Sequence, residues 1–212
     1  MKFLELINKC LLELNYKQVN SFAELVKYDH KRIINIINLI NKEICHIEPW
    51  NFMLKKTKLT LPAKATEISN TIDGRILHLF IDGKKYEFSE NFEPFLTNNP
   101  PSSKYSVCGD KLLFPKFETE KIIDVVYYAN KCALSATGEE KDNLVAAEDS
   151  SIIPMPFAEQ LLVYGTCLRL KANPQHIKFS YWLSMYKEAL LNLKSKSSIY
   201  ASYSPTVRLY RD

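Results

Sequence analysis

Glycine is scarce in this chain, with five in 212 residues (Gly74, Gly83, Gly109, Gly138 and Gly165), and no two share a loop. A phosphate-cradling loop needs clustered glycines so that successive backbone N–H groups can converge on the anion, so a nucleotide loop of that kind is excluded. The four histidines (His30, His46, His78, His176) are dispersed and form no HExxH pair, which argues against a metal site. The five cysteines (Cys10, Cys45, Cys108, Cys132, Cys167) contain no CxxC, and their odd number excludes a fully paired secreted disulfide scaffold. They are expected to be buried small apolar residues in a reducing compartment. Cys45 and His46 are neighbours on a helix pattern and project about 100° apart, so they do not make a nucleophile and base. No metal, nucleotide or covalent cofactor is expected. A long uninterrupted apolar run is also missing: MKFLELINKCLLEL carries Glu5 and Glu13 inside its repeat and has no cleavage site, so a soluble protein made in a cytoplasm is expected.

What is present is 46% hydrophobic residues, enough for one good core or two small ones. The net charge of +4 is uneven, because acids and bases balance over residues 1–174 while residues 175–212 hold six cations and two anions. A basic end of this modest strength suits either nucleic acid or an acidic protein surface.

Phe3, Leu6, Ile7, Cys10, Leu11 and Leu14 recur at three and four residues, one stripe of an amphipathic helix. Ser21 and Glu24 have the spacing of a capping box for a helix starting at Phe22 and running through Leu25, Val26, Ile33, Ile37, Ile40 and Ile44, whose isoleucine density implies burial on more than one face. Pro49 stops it. From Trp50 the period becomes two, through Phe52, Leu54, Thr57, Leu59 and Leu61. RILHLFID, KKYEFSE, KYSVCG, KLLFPKF and KIIDVVYYANK are further strands, with Asp82-Gly83 and Gly109-Asp110 as hairpin dipeptides, which together predict an antiparallel sheet or small sandwich. Residues 132–151 show no period and are expected to be a long mobile connection. Phe157, Leu161, Tyr164 and Leu168 mark one face of the next helix. Asn173-Pro174 reads as the start of the last, with Ile177, Tyr181, Leu183, Tyr186, Leu190 and Leu193 on its apolar side.

The predicted fold is α+β. A helical bundle is expected from residues 1–49 and 152–196, with a β-rich lobe at 50–131 inserted into it, the mobile connection at 132–151, and a tail at 197–212. Pro49 ends the bundle, and Trp50 and Phe52 are placed to wedge between bundle and sheet. The acids Glu139, Glu140, Asp142, Glu148 and Asp149 form the one acidic cluster, but a general acid needs an apolar pocket to raise its pKa and this segment is mostly Ala, Ser and Asp. Lys55, Lys56 and Lys58 beside Trp50 and Phe52 imitate a nucleic-acid face, although alternate lysines are the ordinary solvated side of a strand. Twelve Tyr and two Trp instead suit extensive protein interfaces.

SFAELVKYDHKRIINIINLINKEI followed by PWNFM and a threonine-rich strand, then YSVCGDKLLFPKF, IIPMPFAEQLLVYGTCLRLKA and FSYWLSMYKEALLNLK, occur in this order over nearly the whole chain. The pattern resembles the head-to-tail adaptor (connector) proteins of tailed bacteriophages. The resemblance implies a structural, non-enzymatic virion protein assembled in the host cytoplasm. It would form a ring with itself, dodecameric in typical members, beneath the portal protein and joined to tail proteins (nozzle or tail tube). Double-stranded DNA would pass through without sequence-specific binding, and no membrane is involved. It also implies that the C-terminal extension docks on the portal. Carried onto this chain, the docking residues are Ile199, Tyr200, Tyr203, Val207, Arg208, Leu209, Tyr210 and Arg211, and Pro49, Trp50 and Phe52 match the helix-to-sheet junction. Two other classes stay open: an adaptor-like protein that hydrolyses peptidoglycan, and a non-viral protein-binding module.

Overall fold

The computed structural model describes residues 1–97 and 99–197. In chain order its elements are α1 (Phe3–Glu13), a 3₁₀ turn (Phe22–Glu24), α2 (Tyr28–Ile47), a second 3₁₀ turn (Asn51–Met53), β1 (Leu54–Leu61), β2 (Glu67–Ser69), β3 (Gly74–Ile81), β4 (Lys84–Phe88), α3 (Glu93–Leu96), β5 (Lys104–Cys108), β6 (Lys111–Leu113), β7 (Lys121–Ala129), β8 (Ala133–Leu134), β9 (Glu140–Lys141), β10 (Ser150–Ser151), α4 (Phe157–Leu170) and α5 (Phe179–Ser197). The fold is α+β, in two compact units. Met1–Met53 and the chain from Lys131 onward make a helical unit, and Leu54–Asn130 make a sheet unit.

The sheet unit is one curled sheet in the order β1-β7-β3-β4-β5-β6-β2. Its centre is set by β7, whose Ile123 and Val125 lie opposite Leu59 and Thr57 of β1 and opposite Ile81 and Leu79 of β3. The alternation therefore puts one apolar row of three strands on the same face. That row packs with Tyr86, Tyr105, Leu112 and Phe114 into the core of the unit. Asp82 (φ 50°) and Gly83 (φ 74°) both take the left-handed conformation that a two-residue hairpin requires, and Gly109 (φ 61°) does so between β5 and β6. The sheet is not wholly antiparallel as expected. β4 and β5 run parallel, pairing Glu87 with Lys104 and Phe88 with Tyr105, and α3 lies in the connection between them. The Ser106 hydroxyl fixes that connection by donating to the Ser89 carbonyl at 2.7 Å. At the other end, β3 pairs Gly74 with Ala129 of β7, and a Cβ on Gly74 would lie 2.0 Å from the Tyr128 carbonyl oxygen. Since the clash is with backbone, Gly74→Ala is expected to destabilise by an amount near the top of the usual overpacking range, about 1–3 kcal/mol. A urea midpoint equal to that of the unsubstituted chain would show that the strand end can shift freely.

In the helical unit α1 buries Phe3, Leu6, Ile7, Cys10 and Leu11, the stripe its periodicity predicts. Its first amides, which have no partner within the helix, donate instead to carbonyls of the later segment: Phe3 N–H to Asp149 at 2.7 Å and Leu4 N–H to Ala147 at 3.1 Å. The second helix departs from expectation. Ser21 and Glu24 do meet, the Ser21 hydroxyl donating to the Glu24 carboxylate at 3.5 Å, but they close only a 3₁₀ turn, and α2 begins at Tyr28. Its buried residues (His30, Ile33, Ile37, Ile40, Asn41, Ile44, Cys45) make a single stripe, leaving Ile34 and Ile36 half-buried and Val26 72% exposed.

α4 packs against α1, α2 and α5 and is the centre of the unit. It buries Phe157, Ala158, Leu161, Leu162, Val163, Gly165, Thr166 and Cys167, more than the one face expected, while Tyr164 and Leu168 stay half-exposed. α5 starts at Phe179 rather than at Asn173-Pro174. The Asn173 side chain caps only a turn, accepting from the Gln175 N–H at 3.0 Å, and α5 buries Trp182, Ala189 and Leu193. Ile177, expected on the apolar side, is 94% exposed, and Tyr181 is half-exposed.

Residues 132–151, which have no hydrophobic period, contain regular structure. β8 pairs with both β9 and β10. Strands of two residues are too short for alternation to register in a sequence, and side chains hold these in place. The Asn38 amide donates to the Leu144 carbonyl at 3.0 Å and its oxygen accepts the Leu144 N–H at 2.7 Å. Asn41, fully buried on α2, donates to the Cys132 carbonyl at 2.8 Å and accepts the Ser151 hydroxyl at 2.6 Å.

Candidate functional site

The helix-to-sheet junction follows from the end of α2. A helix leaves its last four carbonyls without internal partners, and Pro49 has no N–H to offer them. The chain turns at Glu48, and the Trp50 indole N–H donates to the Ile44 carbonyl. Trp50 is fully buried and its ring stacks on Phe52, with centroids 5.7 Å apart and planes 12° from parallel. Asn51–Met53 form a 3₁₀ turn rather than the start of a strand, which begins at Leu54. Trp50 is thus anchored on the helical unit by its own indole.

The lysines expected on one strand face divide. Lys56 and Lys58 share an exposed face of β1, where Lys56 lies 3.5 Å from Asp124, whereas Lys55 points to the other side and burial lowers its pKa. With Trp50 and Phe52 in the preceding turn, the pattern does not become a single basic and aromatic strip.

The acidic cluster also divides. Glu148 pairs with Lys2 and Asp142 with Lys131 at 3.0 Å, both at the surface. Glu139 is exposed and its backbone N–H donates to the Ser135 hydroxyl at 2.9 Å. Asp149 is the one buried member. Its carboxylate accepts the backbone N–H groups of Val145 and Ala146 at 2.8 Å each and the Lys141 ammonium at 3.2 Å. Burial works against the charge, but those two amides and the ammonium outweigh it and hold the carboxyl below the usual carboxylate range. That direction is opposite to what a general acid needs. Because the folded value is depressed, the anchor contributes stability above the ordinary Asp value of about 3.9, and this is lost as pH falls through the lower native value. Asp149→Asn is expected to cost about 1–3 kcal/mol at neutral pH, with the gap from the unsubstituted chain closing in acid. Urea titrations across acid pH test this, and a pH-independent gap would mean the charge is not what holds the loop.

Among the described residues no group of three or more His, Cys, Asp or Glu could hold a metal ion. His30 is buried on α2, His46 lies exposed with Nδ1 2.8 Å from the Lys42 carbonyl, and His176 stacks on Trp182 at 5.0 Å. No helix among the described residues is long and apolar enough to cross a membrane.

The surface of the helical unit carries features no sequence motif announced. A groove of about 500 Å³ runs between α2 and residues 143–145, lined by Ile34, Asn38, Leu39, Lys42, Leu144 and Val145, and a smaller one of about 240 Å³ lies between Leu12 and Glu13 of α1 and Val163 and Tyr164 of α4. Leu12, Val26, Tyr28, Leu39, Ile47, Val145, Ile177 and Leu191 are large apolar side chains exposed on this unit. Val26 and Ile177 were expected on apolar helix faces, but α2 begins only at Tyr28 and α5 only at Phe179, so both lie outside the helices and face outward. The eight expected docking residues, Ile199, Tyr200, Tyr203, Val207, Arg208, Leu209, Tyr210 and Arg211, lie outside the described residues. The chain matches no model of a known protein family, and no curated protein is significantly similar to it.

Proposed function

We propose that this chain is a structural virion protein, a head-to-tail adaptor of a tailed bacteriophage that forms a ring beneath the portal and continues the DNA channel toward the tail. In this reading the terminal helices form a bundle, the inserted sheet unit is a lobe presented to neighbouring components, and residues 197–212 dock along the portal. The observation that carries the reading is the chain order: a helical unit built from both ends of the sequence and interrupted by one contiguous sheet unit, in the order of the adaptor-like motifs.

Exposed apolar side chains support the assembly part. Leu39 and Val145 line one groove and Leu12 another, on different elements of the helical unit, as a head-to-tail contact between unlike surfaces would require. Glu148, Asp142 and Asp149 are each paired with a lysine, and Asp149 is held as the anion rather than as the acid, which supports a scaffold more than a hydrolase. The tail residues are more aromatic than a solubilising tail needs. Tyr203, Val207 and Leu209 could fill pockets while Arg208 and Arg211 meet carboxylates of a partner.

A chain ending at Lys196 tests the reading. It is expected to keep its helical circular dichroism yet to lose attachment to portal-bearing, DNA-filled heads, whereas the full chain attaches and retains their DNA. Equal attachment by both chains would remove the tail from the docking role. A full-length chain that neither attaches nor forms rings with portal by negative-stain microscopy would remove the adaptor reading itself.

A further inference from the structure

Two helices of the helical unit turn matching rows outward. On α2, Asn35, Leu39, Lys42 and His46 follow at spacings of four, three and four, so they share one side of the helix, opposite the buried stripe of Ile33, Ile37, Ile40 and Ile44. On α5, Ser184, Glu188, Leu191 and Ser195 have the same spacings and lie opposite Trp182, Ala189 and Leu193. Leu39 is 49% and Leu191 68% exposed. Alternate steps of three and four are the seam spacing of packed helices, and a row stepped four, three, four reads the same from either end. Laid antiparallel, the register that sets Leu191 on Leu39 therefore also sets Glu188 on Lys42, Ser195 on Asn35 and Ser184 on His46. The charges match in that register. Among the described residues neither the Lys42 ammonium nor the Glu188 carboxylate has an ion-pair partner, whereas the nearby Glu43 pairs with Arg169 and Lys194 with Glu48. Since each row faces away from its own unit, the match is met only between copies.

We propose that α5 of one copy of this chain seats antiparallel on α2 of the next, with Glu188 paired to Lys42 and Leu191 entering the groove between Leu39 and Val145. The two rows lie on different helices, so the contact is heterologous: a copy that offers α5 to one neighbour keeps α2 for another, and the series of copies either closes or grows. Its closure into a ring rests on the adaptor reading above, while the contact itself needs no portal. The seam holds one apolar layer among polar ones, so a single contact is weak. Closing a ring adds one more contact within the same particle, where it costs no further loss of free translation, and that stabilises the closed form over open pairs.

The test is sedimentation velocity of the full-length chain over a concentration series, beside Lys42→Glu, Glu188→Lys, the two combined in one chain, and Leu191→Ser. All four changes lie on outer helix faces, so the urea midpoints should stay near that of the unsubstituted chain. Each single reversal sets like charges against each other and should weaken association roughly tenfold or more, and the combined variant should recover it. Leu191→Ser should weaken association with no change of charge. The proposal is overturned if the unsubstituted chain stays monomeric at every concentration, if a single reversal associates as well as the unsubstituted chain, or if the combined variant does no better than the single ones. Portal-bearing heads separate this from the adaptor reading. Heads that take up the reversed variants as readily as the unsubstituted chain would keep that reading and remove the contact of α5 with α2. Rescue of self-association in a chain that never attaches to heads would keep the contact and remove the adaptor.

Discussion

Trp50→Ala is expected to lower the unfolding free energy by about 3–5 kcal/mol, the cost of emptying a large buried aromatic site. The indole is fully buried, rests on Phe52 and donates to the Ile44 carbonyl, so alanine removes apolar contact and also leaves the end of α2 with an orphan acceptor. Trp50→Phe separates the two effects. It keeps most of the ring packing and loses only the donor, so about 1–3 kcal/mol of the total should remain. Urea unfolding of both variants is the measurement. If Trp50→Ala melts like the unsubstituted chain and only loses a partner, Trp50 is an interface residue.

A second large loss is expected for Trp182→Ala, again about 3–5 kcal/mol. Trp182 is fully buried near the start of α5, with its indole N–H donating to the Glu13 carboxylate at 3.0 Å and its ring stacked on His176. Lys178, one turn earlier, donates to the Glu13 backbone carbonyl at 2.8 Å. The end of α1 is therefore clasped by the beginning of α5, and removing the indole leaves a cavity beside a carboxylate short of one donor. The chain has two tryptophans, so each variant leaves the other as the sole indole reporter, and fluorescence can follow unfolding from either end of the helical unit. A midpoint unchanged by Trp182→Ala would show that the clasp is redundant with the packing of α4 on α5.

Much of the α+β fold was legible because long elements repeat their pattern. α1 declared its stripe through six residues at three- and four-residue spacing, and the paired left-handed residues at Asp82 and Gly83 announced their hairpin. Elements set by contacts distant in sequence were not legible. Nothing near Asn38 or Asn41 indicates that their amides organise a segment about a hundred residues later, yet that is why residues 132–151 are regular. The start of α5 was misplaced because Asn173-Pro174 is good capping chemistry, and it is used for a turn instead. The competing signal, Trp182 against Glu13 and His176, is tertiary. The candidate site was least legible of all, since an outward-facing Ile177 or Leu39 is the same letter as one in the core.

The interrupted helical unit has a consequence for the chain as it leaves the ribosome. Residues 54–130 are contiguous, so the sheet unit can close once they have emerged. α1 and α2 are made before the sheet unit but find their common partner only with α4, more than a hundred residues after the end of α2, or roughly 5–20 s later at ordinary elongation rates. During that wait Phe3, Leu6, Ile7, Ile33, Ile37 and Ile40 lack the α4 side of their burial site. α1 and α2, made before the sheet unit, are thus completed after it. Slowing translation across the sheet unit should lengthen that exposure, and chaperones would then act on α1 and α2.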